Sequence, residues 1–420
     1  MKKACLVILF IIITLTLTAC KNEENENLAT YENPKVSLGG NHSAMISEDG
    51  KLFMWGGNLY GQLGNETNID SNIPVDITEH FNLNENEIII SVSLSRFGSA
   101  ALTSDGRMFI WGYGNNGELG NMQYEHSNVP IDITNSFNLQ QNESIKEISL
   151  GAHHSAILTS NGRVFTWGAN NSGQLGNNTN TSRNYPLEIN NWIELDEGEI
   201  VQSIELGYLH STLVTSKNRL FTWGDNMSGQ LGDGTTTSRS IPHDITDNFN
   251  LHNQESIKTV STGFLNTLVL TSENRIFSWG ANTYGSVGDG TTTIRSLPID
   301  ITDKFNLDTD ELIISVSSGA EVASCITNRG NLFVWGKNNE SELGDGTNTN
   351  RLLPYYNNPS FDLGNEESIT NIFWGLKHAI VTTSDNMIYI WGRNTDGQLG
   401  TGNLTFQDNP INFVNGYNIR

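Results

Sequence analysis

The sequence predicts an all-β protein in which a seven-bladed β-propeller follows a short N-terminal leader, and three observations support this. A phrase such as WGDNMSGQLG, which begins at Trp223, occurs seven times in the 420-residue chain. Successive copies lie 56 residues apart, as Trp167, Trp223 and Trp279 illustrate, and a proline stands 19 residues after each of these tryptophans. A fixed period of this length is typical of repeat architectures in which each unit packs against its neighbours.

The repeat occupies nearly the whole chain after the leader, and we assign the propeller to residues 36–420. No net insertion or deletion separates the markers in one unit from those in the next. The tryptophans, which are predicted to be structural, are Trp55, Trp111, Trp167, Trp223, Trp279, Trp335 and Trp391. The prolines are Pro74, Pro130, Pro186, Pro242, Pro298, Pro354 and Pro410.

Each unit contains a predicted β-hairpin. In the third unit, residues 154–159 and 163–167 favour strands and flank Asn161-Gly162, a pair whose residues both tolerate the positive φ of a two-residue turn. The second turn position is always glycine or asparagine, namely Gly50, Gly106, Gly162, Asn218, Asn274, Gly330 and Asn386. Lys217, Glu273 and Arg329 fit the first position of such a turn less well.

A polar loop follows each tryptophan and ends in Gly-Gln-Leu-Gly or a variant. Its one regular apolar side chain is predicted to plug the loop onto the domain; the residues are Leu63, Leu119, Leu175, Leu231, Val287, Leu343 and Leu399. The proline segment and an alternating run such as residues 90–94 complete about four strands per unit, which is the content of one propeller blade.

Closing seven such sheets into a ring leaves no apolar face uncovered at either end of the array. Each tryptophan is then expected to fill the wedge between two neighbouring blades, so these aromatic rings are predicted to be packing residues and not ligand platforms. The sequence leaves the phase of closure open. Blades can coincide with sequence units, or they can be offset by one strand so that both termini share a blade.

Residues 1–19 are predicted to be an export signal. Two lysines precede an apolar run, residues 4–13, that is too short to span a bilayer, and a Leu-Thr-Ala-Cys box ends at Cys20. The stretch resembles a bacterial lipoprotein signal, which implies cleavage before Cys20, lipid attachment to its sulfur and a place on the extracytoplasmic face of the cell membrane. An ordinary secretory signal or an uncleaved anchor is the alternative. Residues 20–35 then comprise the lipidated cysteine and a short disordered tether; a first strand is the alternative there.

Charge and cysteine content limit the partners and the covalent chemistry. The net charge of the chain is −23, and loss of Lys2 and Lys3 with the signal makes it −25. Because so acidic a protein repels phosphate backbones, nucleic acid is not expected as a partner. Cys5 leaves with the signal and Cys20 would carry lipid, so Cys325 is left without a disulfide partner.

The units resemble the repeats of the regulator of chromosome condensation family over about residues 36–415. The shared motifs are W-G-x-N-x-x-G-Q-L-G, a preceding L-G-x-x-H-S segment and the D-G-x-x-x-x-W-G hairpin. The resemblance implies a seven-bladed propeller. The founding activity of that family is nucleotide exchange on the GTPase Ran through an insertion in one blade. The strict 56-residue spacing leaves no room for an insertion, and an exported protein would not meet a nuclear GTPase, so exchange is the least favoured function.

The histidine position of the family motif is a candidate for a metal or catalytic site. It holds His42, His154, His210 and His378, with Gly98, Asn266 and Val322 in the other units. Equivalent atoms in different blades are too far apart to share a metal, so each imidazole is predicted to be structural, with a hydrogen bond to a neighbouring turn. The Gly-Asp-Gly-Thr phrases at 232–235, 288–291 and 344–347 lack the alternating ligands of a calcium loop and are predicted to be turns.

No catalytic residue, cofactor or metal is predicted, because no recognised motif stands above the background of the repeat. Polar residues break the repeat at Ser95-Arg96-Phe97-Gly98 and at Ala320-Glu321-Val322, which are the candidates for marking the functional side of the ring. We favour a membrane-tethered module that binds an unidentified protein through its loops. The alternative is an envelope enzyme or a carbohydrate- or small-ligand-binding protein that uses the central channel.

Overall fold

Each sequence unit folds into one four-stranded antiparallel sheet, and seven such sheets form a ring in the computed structural model, which describes residues 35–413. The predicted seven-bladed propeller is therefore confirmed. The predicted signal at residues 1–19, Cys20 and the tether as far as residue 34 lie outside the described residues. Within the described part, no helix has the length and apolar character needed to cross a membrane.

Four consecutive strands make each blade. Blades 1 to 4 consist of β1 Val36–Leu38, β2 His42–Ile46, β3 Leu52–Gly56, β4 Ser71–Asp76; β5 Ile89–Leu94, β6 Gly98–Thr103, β7 Met108–Gly112, β8 Ser127–Asp132; β9 Ile145–Leu150, β10 His154–Thr159, β11 Val164–Gly168, β12 Arg183–Glu188; and β13 Val201–Leu206, β14 His210–Thr215, β15 Leu220–Gly224, β16 Arg239–Asp244.

The remaining three blades repeat the pattern. They consist of β17 Ile257–Thr262, β18 Asn266–Thr271, β19 Ile276–Gly280, β20 Arg295–Asp300; β21 Ile313–Ser318, β22 Val322–Thr327, β23 Leu332–Gly336, β24 Arg351–Tyr356; and β25 Ile369–Trp374, β26 His378–Thr383, β27 Ile388–Gly392, β28 Gln407–Asn412. The fourth strand of each blade lies at the edge of its sheet. This edge position tolerates the periodic proline, which has no N–H to donate to a neighbouring strand.

Short 3-10 helices connect the fourth strand of six blades to the next blade: Thr78–Phe81, Thr134–Phe137, Asn190–Trp192, Thr246–Phe249, Thr302–Lys304 and Asn358–Ser360. Phe249, at the end of one of them, is buried and meets Trp279 of the following blade edge-on, with ring centroids 5.6 Å apart. The Phe-Asn-Leu phrase of the repeat therefore belongs to the packing between blades.

The hairpins form where predicted, but with a different turn. Thr159 N–H donates to the Arg163 carbonyl, which closes a three-residue loop, and Gly162 has φ 77° while Asn161 is not among the residues with positive φ. The two-residue turn expected from Asn161-Gly162 is therefore wrong. A three-residue loop needs only its last residue in the left-handed region. This is why Lys217 is acceptable before Asn218.

The tryptophans lie between blades. Trp279 is fully buried, and its Nε1 donates to the Gln230 carbonyl of the preceding blade at 2.9 Å. Gly232 packs against the same indole with φ 71°, and a Cβ at that position would come within 2.7 Å of Nε1. The equivalent bond from Trp55 to the Gln398 carbonyl joins blade 7 to blade 1. In the part of the chain that is described, each sheet takes its four strands from one sequence unit, so blades coincide with units and the ring closes without exchanging a strand.

Candidate functional site

The loops that contain the residues breaking the repeat, Arg96 and Glu321 among them, are gathered at one end of the ring. They are the loops between the first and second strands of each blade and the loops after each Trp-Gly, and we call this end the loop face. The β-hairpin turns lie at the opposite end, the hairpin end. At the centre of the loop face, residues from all seven blades line a cavity of about 160 Å³ at the mouth of the central channel.

Buried histidines link neighbouring blades beneath this face. His42 Nε2 lies 3.0 Å from Ser99 Oγ in the next blade, and that hydroxyl donates to the Gln62 carbonyl at 2.8 Å. Because the serine proton is used on Gln62, we assign the proton of the imidazole to Nε2, which donates to Ser99. Burial lowers the pKa of His42 to about 3, so the imidazole is neutral. Its partner is a strand hydroxyl across the blade interface and not a neighbouring turn, which corrects the prediction.

The same contact recurs in three other blades, as His154–Ser211 at 2.9 Å, His210–Thr267 at 3.1 Å and His378–Ser43 at 2.9 Å. In two of the blades without this histidine the hydroxyl partner is missing as well: Ala323 stands 57 residues after Asn266, and Ala379 stands 57 residues after Val322. Gly98 departs from this rule, because a hydroxyl residue, Ser155, stands 57 residues after it. This pairing at a separation of 57 was visible in the sequence and marks the histidines as parts of the blade interface.

Aromatic side chains cross the loop face continuously from blade 1 to blade 5. Tyr60 packs on Phe97 and on Tyr113 with centroid distances of 5.0 Å, and Tyr208 stacks on Phe264 at 3.7 Å. The aromatic arc consists of Tyr60, Phe97, Tyr113, His126, His153, Tyr208 and Phe264. Except for the exposed His126, its members are half-buried. Apart from Phe97 they were not singled out from sequence, although Tyr113 is the one aromatic residue that directly follows a Trp-Gly.

Charged side chains occupy the same face in blades 6 and 7. Glu321 and Lys337 form an ion pair at 2.8 Å, and Lys377 pairs with Glu340. Lys337 Nζ also lies 5.0 Å from the centre of the Tyr284 ring. Glu321 has φ 109°, a conformation that side chains rarely adopt and that is often found at functional sites. The two segments singled out from sequence therefore lie on one face of the ring, one in the aromatic arc and one among these charges.

The inner strands place hydrogen-bonding side chains at the blade interfaces around the channel. Ser149 Oγ accepts a hydrogen bond from Leu206 N at 3.0 Å, and Ser261 Oγ accepts one from Ser318 N at the same distance. Glu205 stands at the equivalent position of blade 4. Burial raises its pKa to about 8, with a further contribution from the nearby Glu147 carboxylate, so this carboxyl is protonated at neutral pH.

Among the described residues, the side chains spaced to hold a metal ion are His252, Glu255 and Glu273, at the hairpin end. Glu255 is already paired with Arg275 at 2.8 Å, and His252 Nδ1 lies 2.6 Å from Glu273. Other blades carry the same arginine–glutamate pair, so Glu255 belongs to the repeat framework. The aspartates of the Gly-Asp-Gly-Thr phrases are also satisfied by arginines, in the pairs Asp233–Arg239, Asp289–Arg295 and Asp345–Arg351.

A closed ring of seven four-stranded blades, joined by tryptophans and carrying its variable loops at one end, defines a repeat propeller. The chain belongs to the RCC1-like domain family: the profile of the RCC1-like domain matches residues 15–356, and that of the regulator of chromosome condensation (RCC1) repeat matches residues 369–398. The resemblance noted from the repeat motifs is therefore confirmed.

Individual relatives share the repeat over most of this chain. The ultraviolet-B receptor UVR8 of Arabidopsis thaliana is 29% identical over 376 residues, which are 89% of this chain and 80% of UVR8. The human E3 ubiquitin-protein ligase HERC2 is 27% identical over 398 residues, 93% of this chain but 8% of HERC2. In solved structures, yeast RCC1 (Prp20) bound to Kap60 superposes with a TM-score of 0.74 at 18% identity, covering 92% of this chain and 86% of that one. Human WBSCR16 gives 0.68 at 23% identity, covering 83% and 85%.

Proposed function

We propose that this protein is a lipid-anchored module on the extracytoplasmic face of a membrane and that it binds another protein through the loop face. The aromatic arc is the observation that carries the proposal. Residues common to the repeats are used at blade interfaces, whereas residues that differ between repeats form a half-buried aromatic surface at one end of the ring. Large aromatic side chains are enriched at the centres of protein interfaces, where they supply much of the binding energy.

The solved relatives are consistent with a binding role. One structure of yeast RCC1 contains Kap60, and another study of Prp20p from Saccharomyces cerevisiae concerns its binding to Gsp1p and histones. Those partners belong to those proteins and are not proposed here. The ligase activity in the name of HERC2 is not proposed either, because this chain spans 8% of that protein. Nucleic acid remains unfavoured as a partner because the net charge is −23.

The loop face can be tested by affinity capture with the purified full-length protein against cell-envelope and secreted proteins, followed by binding measurements on what is retained. We expect one partner with sub-micromolar affinity. Tyr113→Ser should weaken it about thirtyfold, because loss of a central interface aromatic costs about 2 kcal/mol or more. Tyr113 contacts Tyr60, His126 and His153, so its removal opens the middle of the arc.

Ile200→Ser is the matched control. Ile200 is 46% exposed and directly precedes β13 at the hairpin end, so its replacement should leave affinity unchanged. Equal losses for both variants would contradict binding at the loop face. If no protein is retained while oligosaccharides or small ligands bind saturably, the alternative of a carbohydrate-binding protein or an enzyme at the channel replaces the proposal.

The membrane anchor is a separate prediction. The wild-type protein should fractionate with membranes and carry a lipid on Cys20 as its first residue, because lipidation with two or more acyl chains binds a membrane durably. Fractionation and immunoblotting locate the protein, mass spectrometry of the N-terminus identifies the lipid, and Cys20→Ala should abolish that modification. A membrane-bound wild-type protein whose N-terminus still contains residues 1–19 would favour an uncleaved anchor. A wild-type protein found only in soluble fractions would favour an ordinary secretory signal.

A further inference from the structure

Arg96 lies at the channel mouth, next to the aromatic arc, without a charged partner. Its guanidinium carbon is 4.7 Å from the centre of the Phe97 ring and 5.8 Å from that of Tyr208. Its Nη1 donates to Tyr208 Oη at 2.7 Å, while its buried Nε has no hydrogen-bond partner. None of the ion pairs formed within residues 35–413 includes Arg96. The group is thus held in place by aromatic rings, with hydrogen-bonding capacity left over.

The arginines of the hairpin end provide the comparison. Those in four blades are paired with buried glutamates, as Arg107–Glu87 at 2.6 Å, Arg163–Glu143 at 2.9 Å, Arg219–Glu199 at 2.6 Å and Arg275–Glu255 at 2.8 Å. The chain has 46 acidic residues for 23 basic ones, so carboxylates are plentiful. Among the described arginines, Arg183 and Arg393 likewise form no ion pair, so Arg96 is distinguished by lying unpaired beside the channel-mouth cavity.

The cavity beside Arg96 is large enough to admit a side chain from another molecule. Its volume is about 160 Å³, well above the roughly 10–15 Å³ that a single water molecule needs. Glycines such as Gly151 and Gly207 form part of its wall and leave the space open, while Tyr208 and Phe264 form another part. A group entering there would meet a partly desolvated guanidinium, where a charge-assisted hydrogen bond is stronger than in water.

We propose that the loop face, acting in the protein-binding role proposed above, recognises its partner by a carboxylate side chain that enters the channel mouth and pairs with Arg96. The planar guanidinium presents parallel N–H donors that match the two oxygens of a carboxylate. The partner side chain is an aspartate or glutamate on an exposed loop of a protein. Phe97 and Tyr208 hold the guanidinium in position, so little conformational entropy is lost when the pair forms.

A protein side chain fits the site better than an acidic sugar. Sugars bind aromatic sites chiefly by stacking on open ring faces. Here Phe264 stacks on Tyr208 at 3.7 Å with an interplanar angle of 30°, and the Arg96 guanidinium also lies near that ring, so Tyr208 offers little free face. A single carboxylate at the tip of a loop needs only the cavity and the guanidinium.

The test uses the full-length protein in detergent and a phage-displayed library of disulfide-closed random peptides. Wild-type protein should select peptides that share an Asp or Glu, and their synthetic forms should bind Arg96→Gln about thirtyfold or more weakly, the loss expected when one partner of a buried charge pair is removed. Arg96→Lys should bind with intermediate affinity, because it keeps the charge and lacks the planar fork. Circular dichroism verifies that both variants are folded.

Arg183→Gln is the matched control. Arg183 also lies over a tyrosine and donates to its hydroxyl, Tyr185 Oη, at 2.6 Å, but it begins the outer strand β12 away from the mouth. Its replacement should leave peptide affinity unchanged. Selected peptides without a shared acid, bound equally by Arg96→Gln but weakened by Tyr113→Ser, would overturn the role of Arg96 and leave the protein-binding function intact.

Two further outcomes would bear on the proposed protein partner and not only on Arg96. If no peptide binds the loop face and affinity capture also retains no protein, the proposed function and this inference both fail. If trigalacturonate, used as a carboxylate sugar probe, binds wild type and not Arg96→Gln while no peptide is selected, the mouth is an acidic-glycan site and the protein partner is wrong.

Discussion

Trp279→Ala is expected to lower the free energy of unfolding by about 3–5 kcal/mol, the range for removing a large buried aromatic side chain. The indole is fully buried between two blades, meets Phe249 edge-on and bonds the Gln230 carbonyl. The cavity left behind borders two sheets, so neither blade can collapse into it alone. Urea unfolding at neutral pH, followed by far-ultraviolet circular dichroism, measures the change.

Trp279→Phe separates packing from hydrogen bonding. Phenylalanine retains much of the aromatic volume and loses the indole N–H, and the Gln230 carbonyl keeps a donor because Thr267 Oγ1 lies 3.2 Å from it. The phenylalanine variant should therefore lose about 1 kcal/mol for the missing hydrogen bond, plus a smaller packing cost. If both variants lost the same free energy of unfolding, the hydrogen bond and not packing would account for the stabilisation by Trp279. A loss below about 1 kcal/mol for the alanine variant would contradict the role of Trp279 as a packing residue between blades.

The blade content and ring size could be predicted because the repeat presents each local signal seven times. The glycine or asparagine of the hairpin turn, the alternating strands and the Trp–Pro spacing recur in every unit, so a weak signal in one unit is supported by the others. The phase of closure could not be predicted. Repeated units allow any window of four consecutive strands to serve as a blade, and strand pairing distinguishes the possibilities: β1 to β4 form one sheet and β25 to β28 form another.

The loop face was partly predictable. Arg96 and Glu321 stood out because they break the repeat, but the sequence did not indicate that they share a face with Tyr60 and Tyr113. Tyr60 and Tyr113 are 53 residues apart in sequence, and their rings are 5.0 Å apart because blade stacking brings the loops after successive Trp-Gly dipeptides together. A comparison of each repeat position around the ring would have found them once the blades were known. The channel-mouth cavity depends on side-chain volumes in all seven blades, which no single motif specifies.

Acidification from pH 6.5 to 4.5 is expected to destabilise the ring steeply. Burial lowers the pKa of His42, His154 and His378 to about 3 and that of His210 to about 4. Below pH 6.5 the unfolded chain binds protons at these imidazoles and the folded ring does not. The contribution of these histidines to stability is therefore fully present above about pH 6.5 and falls as the pH approaches 4. Each such histidine contributes a slope of about 1.4 kcal/mol per pH unit.

Glu205 acts in the opposite direction. Its pKa in the folded protein is raised to about 8, so between pH 4.5 and 8 the folded ring holds a proton that the unfolded chain releases. Its contribution to stability falls as the pH rises through that range. Between pH 4.5 and 6.5, the slope that Glu205 gives to the free energy of unfolding cancels the slope of one of the four histidines. Above pH 6.5 the histidines no longer contribute a slope, and that of Glu205 remains. The free energy of unfolding should consequently pass through a maximum near pH 6.5 to 7.

The variant His154→Asn tests whether the buried histidines cause the pH dependence of the free energy of unfolding. Asparagine is acceptable at this position, because Asn266 occupies it in blade 5 and donates to Ser318 Oγ at 2.9 Å. The variant should show a pH dependence shallower by about 1.4 kcal/mol per pH unit, whatever its absolute stability. His243→Asn is the control, since that side chain is exposed on β16 and should leave the slope as it is.

The measurement is urea unfolding at pH 7, 6, 5 and 4.5. It stops at pH 4.5 because arginine-paired carboxylates respond below that value: hydrogen bonding to Arg107 lowers the pKa of Glu87 to about 2, so its contribution is lost only in stronger acid. Wild type and His154→Asn losing stability in parallel between pH 6 and 5 would mean that His154 is protonated in the folded ring. The Nε2–H to hydroxyl contact would then tolerate a charged imidazole, and acid sensitivity would have to arise elsewhere in the blade interfaces.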